Sequence, residues 1–136
     1  MNRATAYITF RISGEYFAVA AECICEMMPV PMLASATRLG QGLLGFAFSH
    51  GQRIPVFDLG LVLGLNPKRS VRPGRLVIAR NSASCSFGFC VDRLTDVIQV
   101  HDSEIHGKII QGHGRNKTVL NPDQLVSGEV LAGLSQ

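Results

Sequence analysis

The sequence predicts an all-β chain with short helices, arranged as two small lobes. Three observations lead there. Short runs of β-branched and aromatic residues alternate with Gly, Pro, Asn, Asp and Ser at regular intervals, which is the pattern of small barrels or a sandwich. Long helical periods are missing, so a doubly wound fold of alternating strands and helices is excluded. A segment rich in Pro and Gly, Asn66 to Gly74, divides the 136 residues nearly in half, and the strand pattern resumes after it. A chain of this length suits one domain, and its core can form without disulfides or a metal.

The first elements follow from spacing. Ile8, Phe10 and Ile12 alternate with Thr9 and Arg11, the period of a half-buried strand. Ser13-Gly14-Glu15 is a turn and Tyr16 to Ala20 returns, so the pair reads as a hairpin. Ala21 to Cys25 suits one helical turn. Pro29 and Pro31 then stop a helix and confine any strand there to an edge. Leu43 to Phe48 and Arg53 to Phe57 are strands around a turn at His50-Gly51-Gln52. Asp58 can cap a short helix with Leu59, Leu61, Val62 and Leu63 turned inward and Gly64 at its end.

The second half reads similarly. Arg75 to Ala79 and Ser86 to Val91 are strands around a turn at Asn81 to Ser84. Asp92 can cap a helical turn through Leu94, and Val97 to His101 is a strand. Ile105 to Ile110 and Thr118 to Leu120 are strands around the loop Gly112-His113-Gly114. Asn121-Pro122 opens a helix, with Asn as N-cap and Pro at its first position, and Gly128 can end it. Val56-Phe57-Asp58-Leu59 and Val91-Asp92-Arg93-Leu94 echo one another, which suggests two similar lobes.

Composition narrows the function. Charged residues make up 17% of the chain, against an average of about 25%. Few charges mean exposed apolar area, which usually marks a partner site. The net charge is +3, and the main basic cluster, Lys68, Arg69, Arg72 and Arg75, is interrupted by Pro and Gly, so it reads as a solvated loop. No nucleic acid partner is expected, because few aromatics can be assigned to a stacking face. No run approaches the ~18 apolar residues that cross a membrane. The N-terminal strand pattern does not read as a signal peptide, so the cytoplasm is the expected compartment.

No catalytic set emerges. Gly40-Gln41-Gly42-Leu43-Leu44-Gly45 spells a G-x-G-x-x-G, but no strand precedes it and no helix follows, so the glycines read as a turn and a β-bulge. Cys23, Cys25, Cys85 and Cys90 fit no common zinc or redox spacing and read as buried thiols. His101, Asp102, Glu104 and His106 are close in sequence but lack the i, i+4 spacing of two ligands on a helix. Ser82, Ser84 and Ser86 lie in no nucleophile elbow. No metal, cofactor or enzymatic activity is expected.

The residues that remain resemble a family. Phe10, Ile12, Gly14, Phe17 and Val19 match the opening F-x-(I/L)-x-G-x-x-(Y/F)-x-(I/V) of the CheW-like domain, the coupling module of bacterial chemosensory arrays. Ile24-Cys25-Glu26-Met27 is similar to its V-x-E-(I/V) turn. Gly45, Gly51, Pro55, Val56, Asp58 and Leu59 match part of a longer glycine-to-P-V-x-D-L pattern. Gly88, Val91, Asp92, Leu94 and Val97 match G-x-x-V-D-x-(V/L)-x-x-V, and Leu120, Asn121 and Leu125 match the last motif. The resemblance runs from Tyr7 to Val126.

The resemblance implies a single domain over 1–136, with two five-stranded β-barrel lobes at roughly 16–66 and 75–120 that share a hydrophobic contact. It implies an adaptor between the regulatory domain of a CheA-type histidine kinase and the cytoplasmic tips of chemoreceptors. By the same resemblance Ile24 and Glu26 face the kinase, while Phe48, His50, Ile54 and Val56 line the receptor groove. One departure is informative. The family usually has Asn-Leu-Arg-Gly where this chain has Phe48-Ser49-His50-Gly51. Arg is a permanent forked cation and His is mostly neutral near pH 7. The region therefore resembles couplers of accessory pathways. The competing expectation is a small-ligand or metal-binding β-barrel, resting on the His101–His106 neighbourhood and the thiols.

Overall fold

The structure, a computed structural model, describes residues 3–34, 42–65, 74–84 and 86–126. The alternation around Phe10 forms β1 (Ala4–Ile12), which pairs antiparallel with β2 (Glu15–Ala20) as Ile12↔Glu15. Ser13 and Gly14 between them have φ of 53° and 82°. Two consecutive left-handed residues make the type I′ turn, whose twist matches that of paired strands. A 3₁₀ turn at Ala21–Cys23 leads into β3 (Ile24–Met28). The next hairpin is β4 (Leu43–Ser49) and β5 (Gln52–Asp58), followed by α1 (Leu59–Val62). The Asp58 carboxylate accepts the N–H of Leu61 at 3.3 Å, the expected cap.

After the linker come β6 (Arg75–Arg80), β7 (Ser86–Val91) and β8 (Arg93–His101). Then follow β9 (Ile105–His106), β10 (Ile109–Ile110), β11 (Lys117–Val119) and α2 (Pro122–Leu125). Asn121 Oδ1 accepts the N–H of Asp123 at 3.0 Å, with Pro122 at the first helical position as the sequence predicts.

Two sheets result. One is ordered β3-β6-β7-β5-β4, the other β8-β1-β2-β11-β10-β9. A large shared core lies between them: Phe10, Ile12, Phe17 and Val19 from the second sheet meet Phe46, Phe57, Val77, Phe87 and Phe89 from the first. Each sheet also wraps a small core of its own. Ala47, Ile54, Val56, Leu76 and Ile78 fill one, and Ala18, Val100 and Ile110 the other. This is the all-β, two-lobed fold predicted, with each lobe an approximate barrel.

Several expectations change. Sheet membership does not follow the 66–74 linker, since β6 and β7 join β3, β4 and β5, while β1 and β2 join the last strands. Pairing partners far apart in sequence decide this. The echoed Val-Phe-Asp-Leu segments do not mark two lobes. They end β5 and β7, parallel neighbours in one sheet with Val56↔Gly88 in register. The second sheet has six strands because residues 105–110 fold back on themselves, pairing Ile109 with His106.

Asp92 caps no helical turn. Its carboxylate accepts the N–H of Ser13 at 2.8 Å, and the chain continues as strand β8. Leu61 points to solvent while Leu59 is buried, because residues two apart on a helix sit on nearly opposite sides. Lys68, Arg69 and Arg72, Gly40, Cys85 and Gly128 lie outside the described residues.

Candidate functional site

The exposed end of the first sheet is the β4–β5 hairpin. Ser49 pairs with Gln52 across a two-residue loop, His50-Gly51, with φ of 49° and 75°. This is a second type I′ turn. It demands left-handed backbone at both positions, which Gly takes freely and His tolerates better than most side chains. Phe48, one residue before Ser49, is 67% exposed. Its cross-strand partner is Arg53, whose guanidinium carbon lies 4.4 Å over the ring of Phe46. An aromatic side chain left in water beside a stacked cation is the kind of group that anchors interfaces.

β3 and β4 are the two edges of the five-strand order; side chains at Glu26 join them, and a backbone bridge ties the segment after β3 to β4. Glu26 on β3 accepts a hydrogen bond from the Ser49 hydroxyl at 2.8 Å, and the same oxygen lies 3.6 Å from His50 Nε2. Ala34 and Phe46 exchange backbone bonds of 2.8 and 2.9 Å. Gly45 permits that approach. A Cβ there would stand 2.5 Å from the carbonyl oxygen of Ala34. The pairing also shifts register between Leu43 and Gly45, so Gly45 sits at the predicted β-bulge and Gly42 in a turn before β4.

The six residues proposed from sequence therefore divide. Glu26 and His50 meet at one rim, with Phe48 exposed two residues before His50 in the same hairpin, although the resemblance sends Glu26 to one partner and the other two to a second. Ile54 and Val56 are 5% and 0% exposed and sit in the small core, so they line no open groove. Strand β5 is covered on both faces. Ile54 and Val56 turn to the small core and Phe57 to the shared one, and alternation alone does not reveal this. Ile24 is half-buried and packs on the shared core.

The low charge predicts exposed apolar side chains, and two of them stand on these edge strands. Met27, 43% exposed, lies on the outward face of β3 beside the exposed Cys25, and Leu44 is exposed on β4. The signal was available: counting outward by twos from Glu26 does not reach Met27, but counting from Cys25 does.

Among the described residues no three His, Cys, Asp or Glu side chains gather as a metal site. Thiol surroundings differ from those predicted. Cys25 is exposed, while Cys23 and Cys90 are half-buried. Burial, aided by Asp58, pushes the Cys90 thiol up to about 11. Burial also raises that of Cys23, with Glu22 adding to it. These groups favour the neutral, unreactive thiol. In the 101–113 region the N–H of His101 bonds Glu104 at 2.8 Å and His113 Nε2 lies 3.1 Å from it. The backbone bond first, and His113 second, hold the Glu104 carboxyl below the usual range.

Comparisons with known proteins agree with this geometry. The family model described as CheW-like domain matches residues 6–129. The scaffolding protein TtCheW from Thermoanaerobacter tengcongensis superposes with a TM-score of 0.80 at 16% identity, covering 93% of this chain and 96% of that one. At that identity the likeness speaks for the fold. A search of curated proteins gives no significant match. No described helix is long and apolar enough to cross a membrane.

Proposed function

This chain belongs to the CheW-like domain family, and on that premise we propose that it is a non-catalytic adaptor joining a CheA-type histidine kinase to the cytoplasmic tips of chemoreceptors. The observation that carries this reading is Phe48, a large aromatic side chain left 67% exposed at the tip of a rigid hairpin. A lone protein gains nothing from that exposure, and a partner pocket does. Phe48 and His50 form the receptor contact. Ile54 and Val56 act beneath it as the packed floor that fixes the hairpin.

The kinase contact is β3, where Ile24 anchors the strand and Glu26 sits at the rim with Met27 exposed beside it. His50 in place of the forked cation favours an accessory pathway over the main flagellar one. That an apolar surface, and not a catalytic group, is what the first lobe presents agrees with the scarcity of charge.

Co-purification with the regulatory domain of the kinase from the same organism is the test. The expected result is a complex with a dissociation constant on the order of tens of micromolar or tighter, as for transient signalling contacts. No binding in that range to any such kinase domain, with a folded adaptor, overturns the reading. A stoichiometric metal in the native protein would instead favour the small-ligand barrel.

A further inference from the structure

Lys117, the first residue of β11, is 6% exposed. Lysine is almost never this buried unless paired. Its ammonium donates to the carbonyl oxygens of His113 and Arg115, both at 2.7 Å. The side-chain ion pairs among the described residues are His50–Glu26 and His113–Glu104, and neither includes Lys117. Carbonyl dipoles solvate the ammonium but cancel none of its charge. A lysine has three N–H donors, and two carbonyls leave one unspent.

Lys117 lines a cavity of about 190 Å³ together with Arg115, Tyr16, Thr95, Asp96 and His113. The Arg115 guanidinium stands 5.2 Å over the Tyr16 ring, which holds it at the cavity. The hydroxyls of Thr9 and Thr95 are 2.7 Å apart and Thr9 donates to the carbonyl oxygen of Asp96 at 3.2 Å, so their protons are spent. The Asp96 carboxylate is engaged by the N–H of Val97 at 2.8 Å and pairs with neither cation. Two basic side chains thus face one carboxylate across the space. His113 is turned at Nε2 toward Glu104.

We propose that this cavity binds a small oxyanion, a phosphate or carboxylate group, held by the free donor of Lys117 and the guanidinium of Arg115. Charge decides in favour of an anion. A buried cation without a counter-charge is costly, and folding has already stripped its water, so an entering anion meets a desolvated partner. Size decides against a cofactor. At ~30 Å³ per water the space holds roughly six waters, below the ~300 Å³ of ordinary cofactor pockets. Arg115 presents the geometry that matches an oxyanion with two parallel bonds. The alternative is that Lys117 only staples the 113–116 loop, which predicts no response to anions. The proposal does not depend on the adaptor role.

The test is thermal unfolding of the whole chain in inorganic phosphate, in acetate and in chloride at equal ionic strength, with amide NMR shifts to locate the effect. Phosphate or acetate at ten times its dissociation constant should raise Tm by about 3–6 °C and saturate. Shifts should concentrate at Thr95, His113 and Arg115. A response to phosphate alone assigns a tetrahedral anion, and to acetate alone a carboxylate. Arg115→Gln should weaken binding at least about fivefold, one lost charge-assisted pair, read as the rise in Tm over the variant's own value in chloride. Lys117→Met should lose the response; if it fails to fold, Arg115→Gln still decides. Equal Tm in all three salts, an unchanged response in Arg115→Gln, or shifts scattered over the surface (an adventitious ion only) overturns the proposal.

Discussion

The β1–β2 and β4–β5 hairpins turn through the same geometry, Ser13-Gly14 in one and His50-Gly51 in the other, both residues left-handed in each pair. Their surroundings differ. The first hairpin is clamped from outside by the Asp92 carboxylate on the Ser13 N–H, and its flanks, Phe10, Ile12 and Phe17, lie in the shared core. The second is tied at its tip by the Ser49 hydroxyl on Glu26, with His50 Nε2 3.6 Å from the same carboxylate, and its flank Phe48 stands in water. One turn has been absorbed into the joint between the lobes and the other left at a rim. A turn motif therefore carries geometry but no role. The role comes from what the rest of the chain places beside it.

Paired substitutions can break this contrast. Phe10→Ala should cost about 3–5 kcal/mol in urea unfolding, the range for a buried aromatic, since its ring contacts both Phe17 and Phe89. Phe48→Ala should change stability by less than about 0.5 kcal/mol yet weaken partner binding by about 2 kcal/mol or more. Equal unfolding losses in the two variants would mean that Phe48 is structural. Next come the ties. Asp92→Ala should cost about 1–2 kcal/mol, because a charged acceptor is lost from a backbone donor, and Ser49→Ala about 0.5–1 kcal/mol. Chemical denaturation orders them, and the reverse order would refute the ranking of the two turns.

His50→Arg should shift affinity for the receptor complex by on the order of 1 kcal/mol, with folding intact, because it restores a forked cation. Unchanged affinity would remove His50 from the contact. The smallest effect concerns the two faces of the same lobe. Cys25 at the exposed edge should alkylate at pH 8 well before Cys90. The folded state holds the Cys90 thiol neutral. Its contribution to stability is complete below the unfolded value of ~8.5 and falls as pH rises toward about 11. A Cys90 that reacts as fast as Cys25 would show the sheet open there.

Legibility in the sequence followed the range of the deciding interaction. The cap of Asp58, the Asn121-Pro122 helix start and the two-residue hairpin turns are readable because their partners lie within a few residues. Asp92 was misread because a carboxylate after a strand suits a local cap as well as a distant donor, and here the donor is Ser13. The burial of Ile54 and Val56 is hidden in the sequence for a different reason. The run Ile54-Pro55-Val56-Phe57 is buried on both faces, so continuous apolarity concealed which side was open. The site was half legible. Phe48, His50 and Glu26 came from motif positions, whereas the convergence of Glu26 with Ser49 came only from closure of the sheet.

By itself, the sequence determined the all-β class, most strand positions, the turns and the family resemblance, since these rest on periodicity, capping and backbone constraints that act over a few residues. It also signalled, by its low charge, that apolar surface would be left exposed. Tertiary structure alone decided which strands share a sheet, which apolar residues that exposure falls on, and where a lysine is left buried beside a cavity. Those outcomes depend on contacts between segments distant along the chain, such as β1 with β8 and β5 with β7, whose energies no local pattern records.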